Sequence, residues 1–424
     1  MSQDPVAASA SRKAYRHVVL PLFVVSTIAY LDRVNISYAA LTMNRALGFE
    51  PQVFGIGAGI FFAGYFLFEI PGALVAERYG PRRWLARIMI SWGLVSGLMA
   101  FMTSAAEFYL LRFLLGAAEA SLYPVIYASS IPRFFPAGER ARAIAVLLTS
   151  LQFSGVVGAP LAGWLTSVSL FGLAGWQVLF LLEAAPAVVF GVIVLFWMAD
   201  SPREARWLSA AEQAYLARQR EQETAALAAV RRFTILEALR DREVLKLGAT
   251  YFLWITGFWG FSYWTPTVLK EVSGWSNAAI GRAIAVAMLV SLVAALYTGH
   301  SSSLRNEKRW HAAAHMFLAA VGMAGGAFAR DPWLFCGFMA LAAVGTYAPM
   351  AVWWSYPTTF LSGMAAAGAI GLVNSLGNLG GFVGPYLTGF VRQTTGSFSL
   401  AMLYLALSLA AAGVLILTLP KDRR

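Results

Sequence analysis

Charge is scarce in this sequence. Of its 424 residues only 12% are Asp, Glu, Lys or Arg, while 59% are hydrophobic. A water-soluble chain carries about 25% charged residues, so a purely soluble fold is excluded. Cysteine is nearly absent as well: Cys336 stands alone, which rules out a disulfide framework within one chain. The four histidines lie outside the apolar runs or at their ends. Any proton carried through the apolar region therefore falls to carboxylates. No cluster has metal-ligand spacing, and "GIGAG" at 55–59 lies inside an apolar run and follows no strand, so it is not a phosphate loop. Neither a cofactor nor a metal is expected, and an enzyme is excluded as a reading. A cleavable signal is not expected either, because the polar residues 1–17 are followed by a run long enough to stay as a span.

What the chain has is a succession of apolar runs of the length that crosses a bilayer, about 20 residues each. Twelve spans are predicted, at 18–40, 53–76, 84–104, 107–131, 142–168, 176–198, 244–269, 279–300, 311–328, 333–359, 366–391 and 397–418. They are continuously apolar rather than alternating, which selects helices over barrel strands. The fold class is an all-α membrane protein of two pseudo-symmetric six-helix bundles, 1–198 and 244–424, joined by a polar linker at 199–243.

The net charge of +11 does not call for nucleic acid, because the basic residues sort by loop. Arg12, Lys13 and Arg16 precede span 1, and Arg78, Arg82, Arg83 and Arg87 fall between spans 2 and 3. Further groups occupy the loops after spans 4 and 8, the linker and the tail (Lys421, Arg423, Arg424). The intervening loops hold only Arg45, Lys270, Arg282, Arg330 and Arg392. By the positive-inside rule both termini are expected in the cytoplasm.

The halves repeat. A shift of 226 residues lays Arg83 and Trp84 on Arg309 and Trp310, Gln152 on Asn378, and Gly155, Gly158 and Gly163 on Gly381, Gly384 and Gly389. Parallel repeats of this kind imply a pseudo-two-fold axis along the membrane normal and a central site at mid-depth.

Few ionisable residues lie well inside spans: Asp32 and Arg33 in span 1, Glu69 in span 2, Arg112 and Glu119 in span 4, Glu183 in span 6. Each would cost about 2.5–3.5 kcal/mol or more facing lipid at mid-depth, so they should face a polar interior. Asp32 and Arg33 are roughly 20 Å in from the start of span 1. Tyr65 and Glu119 reach a similar depth from the opposite side, so Asp32, Arg33, Tyr65 and Glu119 are able to converge. The plainer alternative is a buried ion network that only ties spans 1, 2 and 4 together. For Glu69 and Glu183 that structural reading leads. The second half lacks such charges and offers Trp254, Trp259, Tyr263 and Trp264, then Tyr347, Trp353 and Trp354, then Asn374 and Asn378. The expected division gives charge and protons to the first half, stacking and hydrogen bonding to the second. Belt or packing roles are the alternative for each aromatic.

The segments "YLDRVNISYAA", "GYFLFEIPGALVAERYGPRRWLARIMISWG", "RFLLGAAEASLYP", "GLVNSLGNLGGFVGPYLTG" and "TGSFS" together resemble the major facilitator superfamily. Within it they resemble the anion:cation symporters, closest to the bacterial tartrate, phthalate and hydroxyphenylacetate permeases. The resemblance implies alternating access, with Arg33 binding a substrate carboxylate, Tyr65 assisting it, and Asp32 and Glu119 coupling protons. Arg112 matches the family's partner arginine, and Gln152 and Asn378 match polar positions near substrate. Trp259, Trp353 and Asn374 complete the expected substrate contacts. Glu77, Arg78, Gly80, Arg82 and Arg83 form the expected conformational latch, which departs from the family pattern in having Ala73 for glycine and Glu77 for aspartate. Ser303 and Leu304 replace the acid and arginine of the second-half counterpart.

The function expected is a proton-coupled symporter importing a small organic carboxylate. The partners are the organic anion, protons and the lipid bilayer, without nucleic acid, and the protein is expected to be monomeric. The alternative is a proton-coupled antiporter exporting cationic or lipophilic compounds, against which an arginine at mid-depth argues.

Overall fold

The computed structural model of the protein describes residues 4–228, 241–357 and 364–421. Twelve long helical segments account for most of it. They are α1 (Pro5–Leu47), α2 (Pro51–Tyr79), α3 (Pro81–Phe101), α4 (Ala105–Phe134), α5 (Ala137–Leu165) and α6 (Gly175–Trp197) in the first half. The second half has α7 (Arg242–Ser273), α8 (Asn277–Arg305), α9 (Arg309–Phe328), α10 (Pro332–Trp353), α11 (Met364–Thr395) and α12 (Phe398–Leu417). Ten of them, all but α7 and α11, are long and apolar enough to cross a membrane by length and composition, and α7 and α11 are 32 residues each. Among the described residues there is no strand. The last residues expected in span 10, the end of the linker at 229–240, and Arg423 and Arg424 lie outside the described residues.

Local sequence sets the helix ends. Pro51, Pro81 and Pro332 begin α2, α3 and α10, where a missing N–H costs nothing. Asp241, Ser276, Asp331 and Ser397 cap α7, α8, α10 and α12 through their side chains. Two turns need a left-handed residue, and the repeat supplies it twice: Gly48 and Gly274 have φ of 66° and 67°, and Gly80 and Asn306 have 88° and 47°.

The same 226-residue shift reappears in the packing. Where α2 crosses α11, a Cβ on Gly55 would meet the Pro385 carbonyl at 2.7 Å and one on Gly389 would meet the Pro51 carbonyl at 2.4 Å. Where α8 crosses α5, a Cβ on Gly281 would meet the Ala159 carbonyl at 2.2 Å and one on Gly163 would meet the Asn277 carbonyl at 2.5 Å. These are the same contacts moved from one half to the other. They bring backbones together where no side chain fits, and they close the molecule at the end remote from its termini.

Inside the first half, α2 and α4 approach as closely: a Cβ on Gly116 would lie 1.9 Å from the Phe61 carbonyl. Gly116→Ala is expected to force these helices apart and to destabilise the protein by about 2 kcal/mol or more. Thermal melting of the purified protein would show this as a lower midpoint.

A helix in the linker, Ala210–Ala228, docks on the start of the first half. Glu212 accepts from Ser9 Oγ at 2.7 Å and Lys13 Nζ at 2.8 Å, and Glu223 pairs with Arg140 and the Ala137 amide. Burial would raise the Glu212 carboxyl, but the bonds from Lys13, Ser9 and the Ser209 amide outweigh it and hold the group at about 2. A carboxyl depressed from 4.5 stabilises docking fully above that pH and loses the contribution as pH falls toward about 2. Protease cleavage in the linker helix is therefore expected to stay slow at neutral pH and to accelerate below about pH 4 with an acid-active protease. Glu212→Gln should be cleaved fast throughout.

Candidate functional site

The site forms around a break in α4. Pro124 has no N–H to offer the turn before it, and regular helix ends at Glu119, with Ala120 extended and Ser121 left-handed at φ 71°. A helix that ends here leaves its final carbonyls without the next turn's amides, although Ala120 N–H still donates to Gly116. Arg87 Nη1 donates to one of them, Ala118, at 3.1 Å. Glu119 thus sits at the negative end of a helix segment, an arrangement that favours a neighbouring cation. The tenth helix is interrupted at the equivalent depth, at Ala348 and Pro349 after Tyr347.

That cation is Arg33. Its Nη2 pairs with Glu119 Oε1, and both residues are buried, at 9% and 3% exposure. The guanidinium is surrounded by aromatic faces, with Phe61 at 5.1 Å, Tyr65 at 5.2 Å, and Tyr123 and Trp259 at 5.8 Å. Trp259 comes from the second half, so the arginine of the first half lies under a ring of the other. Arg33 Nε has no hydrogen-bond partner, so donor capacity remains on the group. A buried guanidinium with unused donors between aromatic walls suits a carboxylate, which its fork engages in two parallel bonds.

The remaining expected residues divide. Tyr65 and Trp259 join Arg33 and Glu119 directly. Asp32 does not: it turns away from Arg33 to accept from Ser96 Oγ at 2.5 Å and Asn35 Nδ2 at 2.8 Å, inside the first bundle. Glu183 is also buried in the first bundle, with Asn35 as its neighbour. Arg112 is fully buried and tied to α2 and α7, donating to the Gly57 and Ala58 carbonyls at 3.0 and 3.3 Å and to Tyr263 Oη at 3.4 Å. Gln152 is buried with its Oε1 unpaired. Trp353 stacks on Tyr251 at 5.2 Å and packs against Trp254, within the second half.

Asn374 and Asn378 reach across the bundles in a way the sequence did not reveal. Their Nδ2 atoms donate to the two oxygens of Glu69, at 2.7 and 3.0 Å. Two tyrosines form a second bridge between the halves, Tyr30 Oη to Tyr347 Oη at 2.8 Å, with Ser262 joining at 3.1 Å. Beside them lies a cavity of about 30 Å³ walled by Tyr30, Tyr38, Gly155, Ser262 and Tyr347, room for one or two waters.

Of the expected latch residues, Gly80 and Arg82 meet Asp200, at the start of the linker. Arg82 donates its amide to Asp200 Oδ1 at 2.8 Å and pairs with the same carboxylate at 3.4 Å. Gly80 leaves no room for a Cβ, which would lie 2.9 Å from that carboxylate. Glu77, Arg78 and Arg83 are exposed.

Residues 22–385 match the sequence profile of the Major Facilitator Superfamily. The chain belongs to that family. Its members are transporters rather than enzymes. A protein of Agrobacterium vitis described as "Putative tartrate transporter" is 42% identical over 97% of this chain and 94% of its own length. The "Quinolone resistance transporter" of Acinetobacter baumannii is 33% identical over 91% of this chain and 89% of its own. The crystal structure of a bacterial homologue of the human lysosomal transporter Spinster, in an inward-facing and occupied conformation, superposes with a TM-score of 0.73 at 17% identity, covering 95% of each chain. The likeness establishes the fold, two six-helix bundles.

Proposed function

We propose that this transporter is a proton-coupled symporter that imports a small organic carboxylate across the bacterial inner membrane, with both termini in the cytoplasm. The observation that carries the reading is the buried Arg33–Glu119 pair beneath aromatic rings from both halves. Protonation of Glu119 releases Arg33 to bind the substrate carboxylate. Loss of that proton on the cytoplasmic side restores the internal pair and expels the acid. The tight crossings of α2 with α11 and α5 with α8 then form the outer closure. Asp32, hydrogen-bonded to Ser96 and Asn35, carries a second proton of the cycle. Residues 199–243 act as the cytoplasmic connection between bundles 1–198 and 244–424. The 42% identity to a protein described as a tartrate transporter supports a hydroxy dicarboxylate as the substrate class.

The reading is tested by reconstituting the protein into vesicles with an imposed inward proton gradient and offering labelled tartrate, galactonate, phthalate, hydroxyphenylacetate and a cationic dye. Accumulation of one acid, abolished by a protonophore, is the expected outcome. The similarity to a quinolone resistance transporter favours one other reading, proton-driven export. Expulsion of the dye with no acid accumulated would replace symport by that reading.

A further inference from the structure

Glu69 is bound in this structure in the manner of a ligand. Each of its carboxylate oxygens accepts one amide N–H, Oε1 from Asn374 and Oε2 from Asn378, and the two amides stand one turn apart on α11. Glu69 comes from the first half and the asparagines from the second, so this clasp spans the bundle interface. An alternating-access cycle separates that interface once per turnover, and each time the two amides lose their acceptor. Glu69 is 8% exposed, whereas both asparagines are half-buried, so the amides are the more open side of the pair. The clasp also has no counterpart in the repeat: the 226-residue shift places Ala295 at the position of Glu69. The repeated glycine crossings serve the fold, and this single-sided contact stands apart from them.

Glu69 lies four residues beyond Tyr65 on α2, on the same face, and Tyr65 stacks against the Arg33 guanidinium at 5.2 Å. Tyr65, beside the guanidinium, and Glu69, held by the two amides, are thus one helical turn apart on α2, so the amide pair lies next along α2 from the Arg33 site.

We propose that Asn374 and Asn378 form a second carboxylate subsite. It reads the far carboxylate of a diacid whose near carboxylate lies on Arg33, and Glu69 fills it when no diacid is bound. This rests on the carboxylate reading of the Arg33 site and narrows it to dicarboxylates.

The test measures equilibrium binding to the purified full-length protein in detergent, with tartrate and with threonate, in which a hydroxymethyl group replaces one tartrate carboxylate. Wild type is expected to bind tartrate at least about tenfold more tightly than threonate. Replacing both asparagines by leucine should weaken tartrate about tenfold or more and shift threonate far less. Glu69→Gln keeps the shape of the side chain but removes the competing carboxylate, and should tighten tartrate several-fold while leaving threonate nearly in place. Equal shifts for both acids in every variant, or equal affinities in wild type, would reduce the amide pair to a helix clasp and overturn the subsite while the Arg33 reading stands. If wild type binds neither acid, the narrowing to a hydroxy dicarboxylate fails and the subsite falls with it, while the vesicle panel decides the carboxylate reading separately.

Discussion

Arg33→Ala is expected to reduce carboxylate uptake at least about 100-fold, the largest effect of any single change in this protein. Two losses combine. The substrate loses the guanidinium that reads its carboxylate, and Glu119 is left as a buried carboxylate without its cation, which costs about 3–5 kcal/mol. The second loss alone would lower uptake by destabilising the fold, so Arg33→Lys separates the two. Lysine keeps a positive charge for Glu119 but has neither a planar fork nor a face to lay on Tyr65 and Phe61. It should melt close to wild type and still take up substrate about tenfold more slowly or worse. Initial uptake rates in vesicles containing equal amounts of folded protein would check both. Full uptake by Arg33→Ala would return the residue to a purely structural role.

Glu119→Gln is expected to uncouple transport rather than abolish binding. Glutamine has the shape of a protonated glutamate, so Arg33 stays available to the acid throughout the cycle. Exchange of labelled for unlabelled acid across the vesicle membrane should persist, and accumulation against a gradient should disappear. Without a carboxylate partner Arg33 is a buried charge, so the variant should melt below wild type when empty. Saturating acid should raise its melting temperature more than that of wild type, since the ligand then replaces the missing charge. Retained accumulation by Glu119→Gln would remove Glu119 from the coupling step.

The architecture was legible in the sequence because a bilayer restricts it so strongly. Twelve apolar runs, a basic-loop alternation and one shift of 226 residues suffice to specify two six-helix halves. The same shift relates the glycines that make the crossings remote from the termini, and it brings the break after Glu119 to within two residues of the interruption after Tyr347. The pairing of Arg33 with Glu119 was legible as a convergence of depths. The direction of Asp32 was only half-read: neighbours on a helix point about 100° apart, so Asp32 and Arg33 do not share one cavity wall. Asp32 turns to Ser96 instead. Arg112 shares a helix face with Glu119, two turns away, yet its guanidinium goes to the carbonyls of Gly57 and Ala58, acceptors that any sequence would carry. Glu69 read as a support near Pro71. Its partners lie some 300 residues away on α11, and that contact depends on how the two bundles meet.

The central proposal is that acid and proton move together through the Arg33–Glu119 site. Its most direct test records internal pH and labelled tartrate in the same vesicles, starting with no pH difference and an inward gradient of tartrate. Tartrate entry is expected to acidify the interior in fixed proportion to the acid taken up, and Glu119→Gln is expected to admit tartrate without acidification. Tartrate entry with no change of internal pH in the wild-type protein would contradict it.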